Sequence, residues 1–155
     1  MKIGIIGSGI VGQATGMGLS YNGHHVKFHD IDRKRILSLK NRGYDATEDI
    51  EEVMNHSDIV FVCVPTPTVG DRIELNTIIE CTKNIADTLP QIDKYSVITF
   101  RSTIPPQTSR TKLLPLLEEG SGLTSGDDFG VCMNPEFLRE KSPLDDFLSP
   151  NRIIV

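Results

Sequence analysis

Gly7, Gly9 and Gly12 occur as GSGIVG directly after the apolar run KIGII, and glycines at this spacing bring a main chain close to a phosphate. Gly7 gives the tight turn, Gly9 lets an anion approach the backbone, and Gly12 lets the following helix lie against the preceding strand. That helix opens at Ile10 and Val11, whose main-chain amides offer unpaired N–H groups and a partial positive charge. A second apolar run, HVKFHD, ends at Asp30, about 20 residues on, where a carboxylate accepts from ribose hydroxyls. Together these features predict a dinucleotide site. An acid there repels a 2′-phosphate, which favours NAD, while Arg33, Lys34 and Arg35 beside it keep NADP open as the alternative.

Three later runs end in polar turns: CVPTPT, RSTIPPQT and NPEFLRE. In the first, Val64 and Pro65 lead into a rigid extended turn in which Thr66 or Thr68 offers a hydroxyl to a cofactor. In the second, Ser102 and Thr103 are candidates to face a nicotinamide or a bound water. The third holds Glu136 and Glu140 one helical turn apart, with Cβ atoms expected about 5–6 Å from each other if the segment is helical. Each stretch alone is also ordinary turn or helix-start chemistry. Their common position at strand ends makes them candidates for one crevice.

The elements that must place them alternate regularly. Strands are expected over Lys2–Ile6, His25–His29, Asp58–Val64, Ser96–Phe100, Phe129–Met133 and Arg152–Val155, and these runs are too continuously apolar for a sheet with one wet face. Helical periodicity covers Ile10–Tyr21, Asp32–Asn41, Thr47–Asn55, Leu75–Leu89 and Gln107–Leu117. EEGSGLTSGDD reads as a surface loop. Alternation with short connections predicts an α/β fold: a Rossmann-type doubly wound parallel sheet of order 3-2-1-4-5-6, one domain over residues 1–155.

Composition narrows the function classes. The net charge of −5 argues against nucleic acid, which calls for clustered Lys and Arg; DRKRILSLKNR reads as a solvated helix face. No stretch approaches the roughly 20 apolar residues of a membrane helix. Cys63, Cys81 and Cys132 lack metal-ligand spacing and read as buried, reduced thiols, which fits a cytoplasmic protein.

IGIIGSGIVG, CVPTPT, RSTIPPQT and NPEFLRE in that order resemble the N-terminal NAD-binding domain of the UDP-glucose/GDP-mannose dehydrogenase family. The resemblance implies oxidation of a nucleotide sugar, UDP-glucose or GDP-mannose, from C6 alcohol to carboxylate, with two NAD consumed and an intermediate held on a cysteine. It further implies that Gly7, Gly9, Ile10, Val11 and Gly12 meet the pyrophosphate, and that Asp30 and Arg35 meet the adenosine end. Val64, Pro65, Thr66, Ser102, Thr103 and Glu140 would meet the rest of the cofactor. Thr103 and Glu136 resemble the pair that activates water for hydrolysis, and Glu136, Phe137, Leu138, Arg139 and Glu140 the loop that touches the sugar nucleotide.

None of the three cysteines matches the setting of the family's nucleophile. That thiol, the central helix and the C-terminal domain belong to later segments, and the full-length enzymes are expected to be homodimers. The ending NRIIV is expected to lie in a sixth strand of an excised or truncated chain, which alone would be inactive. Another NAD(P)-linked dehydrogenase of the hydroxyacid or 6-phosphogluconate type, or a stand-alone NAD-binding module, is the alternative.

Overall fold

Two-sided apolar strands demand helices on both faces, and that is the arrangement found in the computed structural model, which describes all 155 residues. The elements run β1 (Lys2–Ile6), α1 (Ile10–Tyr21), β2 (His25–His29), α2 (Arg33–Asn41), β3 (Asp45–Thr47), α3 (Ile50–His56) and β4 (Ile59–Val62). A small antiparallel hairpin, β5 (Thr68–Val69) and β6 (Arg72–Ile73), precedes α4 (Asn76–Thr88), β7 (Val97–Phe100), α5 (Leu114–Ser121), β8 (Gly130–Met133) and α6 (Pro143–Leu148). The main sheet has the order β3-β2-β1-β4-β7-β8, and every pairing in it is parallel. Counted in chain order, its six strands follow 3-2-1-4-5-6, the expected Rossmann winding.

Strand alternation sends neighbouring side chains of β1 to opposite layers. Ile3 and Ile5 join Met17 of α1, Phe28, and Ile36 and Leu39 of α2 in one core cluster. Ile6 joins Val60, Val62, Ile78, Ile85, Phe100 and Leu113 in the other. Asp32 caps α2 by accepting from the Lys34 amide, and Asp49 caps α3 by accepting from Glu51 and Glu52.

Five expectations change. EEGSGLTSGDD is not loop throughout, since residues 118–121 belong to α5. Asp45–Thr47, read as loop and helix start, forms the edge strand β3, and the helix begins later, at Ile50. Asp58–Val64 therefore sits beside β1 as the fourth sheet strand. The sixth sheet strand is β8, paired to β7, and Arg152–Val155 form no strand, with Ile153 73% exposed. The Gln107–Leu117 helix opens instead as a π-helical turn, Ser109–Leu113, ahead of α5. Pro115 supplies the reason: it has no N–H to donate and crowds the carbonyl four residues back, so the turn widens.

The closest packing lies under the glycine loop. A Cβ on Gly12 would overlap the Gly7 carbonyl oxygen, and one on Gly7, whose φ is +91°, would stand 2.9 Å from the Cys63 carbonyl. Gly12→Ala is therefore expected to cost about 1–3 kcal/mol of unfolding free energy, read from urea melts; an unchanged midpoint would contradict this packing.

Cys63 and Cys81 are buried in the two core clusters. Burial pushes both thiols up from 9.0 to about 12. The unfolded chain releases these protons first, so between about pH 9 and pH 12 the unfolded state holds fewer protons and stability falls as pH rises. Urea midpoints measured from pH 8 to 10.5 should decline, and Cys63→Ala with Cys81→Ala should flatten the decline. An equal slope in that double variant would refute the assignment.

Candidate functional site

The carboxyl ends of β1, β2, β4 and β7 open on one cavity of about 700 Å³, within the range of small-molecule sites. It lies where the strand order reverses direction about β1, the place at which such sheets leave a crevice. It is lined by Gly7, Gly9, Ile10 and Val11 after β1, by Asp30 and Arg35 on the β2 side, and by Ser102, Thr103 and Glu136 on the β7 and β8 side. Val64, Pro65 and Thr66 complete the wall between. Gly12 does not line the cavity, and its part is the contact with Gly7.

At the head of α1 the amides of Ile10 and Val11 have no backbone acceptor, and Gly9 provides no side-chain cap. The helix has no acid in its first turn, in contrast to α3, which has Asp49, Glu51 and Glu52. Open amides and an uncompensated positive end suit an incoming anion. A Cβ on Gly9 would have one neighbour within 4 Å, Arg35 Nη1 at 3.8 Å, so the approach to the backbone is clear.

Asp30 is only 5% exposed and does two jobs. Its Oδ2 accepts from the Ser8 amide at 2.8 Å and from Arg35 Nη1 at 3.2 Å, and its Oδ1 accepts from the Asp32 amide at 2.8 Å. The carboxylate thus ties the glycine loop to the end of β2 and still turns toward the cavity. Arg35 also pairs with Asp32, at 3.6 Å, and Arg33 points to Glu48 at 3.8 Å. With the buried Asp30 carboxylate at this end and Arg35 held by two acids, it favours free ribose hydroxyls over a 2′-phosphate.

The opposite end is cross-braced. Thr66 Oγ1 donates to the Thr103 carbonyl at 2.6 Å, and Ser102 Oγ to the Val64 carbonyl at 2.6 Å. These two hydroxyls lock the turns after β4 and β7 together, which is a structural use of the protons expected to face a cofactor. Thr103 is exposed.

Glu136 and Glu140 do not share a helical face. Residues 134–139 are irregular, because Pro135 opens the segment and a Glu136 carboxylate oxygen accepts from the Leu138 amide, a local bond that competes with helix. Glu136 lines the cavity and Glu140 does not.

A second cavity of about 400 Å³ adjoins, lined by Phe137, Leu138 and Arg139 together with α6 and Asn151–Ile153. Arg139 is anchored there by Asp146, with Nη2–Oδ1 2.6 Å. The two cavities share two residues, Glu136 and Arg101.

Arg101 received no role from the sequence, although it heads RSTIPPQT. It is 7% exposed. Its Nη1 donates to the side-chain and main-chain oxygens of Asn134, and its guanidinium carbon lies 5.6 Å from the centre of the Phe147 ring. Burial pulls its pKa down from the ordinary value, opposed by the negative charge of Glu136. The helix α4 was likewise missed as a wall: Thr77, Glu80, Cys81 and Asn84 line the first cavity. Their i, i+3, i+4, i+7 spacing, flanking the apolar stripe, was the available signal.

The sequence profile of the UDP-glucose/GDP-mannose dehydrogenase family, NAD binding domain, matches residues 38–155. UDP-glucose 6-dehydrogenase AglM of Haloferax volcanii is 33% identical over 175 residues, covering 100% of this chain and 40% of that protein. GDP-mannose 6-dehydrogenase of Pseudomonas putida is 32% identical over 178 residues, with coverage of 100% and 40%. A ternary complex of GDP-mannose dehydrogenase from Pseudomonas aeruginosa superposes with a TM-score of 0.93 at 30% identity, over 99% of this chain and 40% of that one. The chain thus spans about 40% of the length of the relatives it matches. By sequence and by fold, it belongs to the UDP-glucose/GDP-mannose dehydrogenase family, as an NAD-binding domain.

Proposed function

We propose that these 155 residues are the cofactor-binding part of a nucleotide-sugar 6-dehydrogenase that oxidises the C6 alcohol of UDP-glucose to a carboxylate. The observation that carries the reading is that one cavity is lined by the acid-anchored loop, the open helix amides, and Thr103 and Glu136, which the strand order β2-β1-β4-β7-β8 brings in from successive strand ends. GDP-mannose is the second reading, favoured by the likeness to a GDP-mannose dehydrogenase over nearly the whole chain.

NAD, when bound, supplies the hydride acceptor. The amides of Ile10 and Val11 hold its phosphates, and the one acceptor position left on Asp30, at Oδ1, takes a ribose hydroxyl. Glu136, at the far end beside the second cavity, takes a proton from water positioned with Thr103. Phe137, Leu138 and Arg139 line the space for the sugar nucleotide, whereas Glu140 lines neither cavity. Cys63 and Cys81, held protonated by burial, and Cys132, half-buried with its thiol likewise pushed up by burial, are unsuited to nucleophilic attack, so the covalent step falls to a thiol outside these residues. Such buried, unpaired thiols suit a reducing, cytoplasmic setting. No helix is long and apolar enough to cross a membrane.

Calorimetric titration should show one saturable NAD site, and Asp30→Ala should weaken it by about 1–3 kcal/mol; unchanged affinity would overturn the ribose assignment. Incubation of the 155 residues with NAD and either nucleotide sugar should yield no sustained NADH production. Steady turnover would show that the chain carries its own nucleophile.

A further inference from the structure

Arg101 is a buried cation without an ionic partner. No carboxylate oxygen lies within 4 Å of its guanidinium. Its hydrogen bonds all go to the neutral Asn134, and its Nε is buried with no partner at all. Burying a charge without a counter-charge is costly. The contacts with Asn134 and Phe147 engage one nitrogen and the face of the guanidinium and supply no counter-charge. Arg101 is also placed at a boundary, because it and Glu136 are the residues common to the two cavities.

The direction of the dinucleotide follows from the proposed function, on which this step rests. With the adenosine ribose at Asp30 and the pyrophosphate at the head of α1, the nicotinamide reaches the end of the cavity formed by Ser102, Thr103, Glu136 and Arg101. The ring bears a positive charge in the oxidised cofactor and none in the reduced one. A fixed cation at that end, poorly screened in a protein-lined cavity, acts on one form and not the other.

We infer that Arg101 sets the preference between the two redox forms of the cofactor, weakening the hold on NAD+ relative to NADH. The charged group facing it across the cavity end, Glu136, acts with opposite sign by attracting the cationic ring. Unit charges within about 10 Å at an effective dielectric near 20 shift a binding constant on the order of tenfold. Holding the reduced form more tightly also favours hydride acceptance, which suits an enzyme class that must draw two hydrides from one carbon.

The test uses the 155-residue chain and reads binding alone: Kd for NAD+ by calorimetry and Kd for NADH by fluorescence. Arg101→Met should lower the ratio Kd(NAD+)/Kd(NADH) on the order of tenfold. Arg101→Lys, which keeps the charge, should leave the ratio within about twofold, and Glu136→Gln should raise it. Damage to the fold would weaken both forms together and leave the ratio alone; if Arg101→Met does not unfold cooperatively, Arg101→Gln takes its place. A ratio unchanged in the neutral variants, or shifted equally by Arg101→Lys, overturns the inference while leaving the cofactor reading intact. Failure of the unaltered chain to bind either form overturns both.

Discussion

Two amides at the head of α1 have no acceptor inside the fold, and much of the structure serves to keep them so. They face a crevice because the sheet winds outward in both directions from β1. They stay open because Gly9 has no side chain to fold back over them. The loop holding them is fixed from beneath, by Gly12 against the Gly7 carbonyl, and from the side, by the Asp30 carboxylate on the Ser8 amide. One acid thus links the second strand to the anion site without neutralising it, since Arg35 shares its charge. A protein of net charge −5 can in this way hold an anion through main-chain dipoles.

The other end of the crevice is built from contacts between distant segments. Thr66 and Ser102 spend their hydroxyl protons across the ends of β4 and β7, which makes those turns a rigid floor. Asn134 fastens the end of β8 to Arg101 and also donates to the Ile154 carbonyl at 2.7 Å. Phe147 of α6 lies over Arg101 and against Gly18 of α1. The wall between the two cavities is therefore one connected unit of β7, β8, α6 and the final residues.

What the sequence made legible follows from how locally each feature is determined. The glycine spacing and Asp30 could be placed because one strand, one turn and one helix fix their relation. The long apolar runs declared the central strands for the same reason. β3 was hidden because a three-residue edge strand with a single buried apolar side chain, Ala46, has little pattern of its own; its pairing with Phe28 and its neighbours defines it. Arg152–Val155 had strand composition without a partner to pair with. Glu136 and Glu140 looked helical by spacing, but Pro135 and the bond that the Leu138 amide donates to Glu136 choose an irregular path. Arg101 resembled one more polar turn residue, and its burial depends on Asn134 and Phe147, which sequence proximity does not reveal.

A crystal structure of the chain grown with NAD tests the central claim most directly. The account predicts the pyrophosphate oxygens about 3 Å from the Ile10 and Val11 amide nitrogens, with the adenosine ribose on Asp30 and the nicotinamide beside Glu136 and Arg101. A dinucleotide bound elsewhere, or in the reverse direction with its adenine beside Arg101, would contradict it.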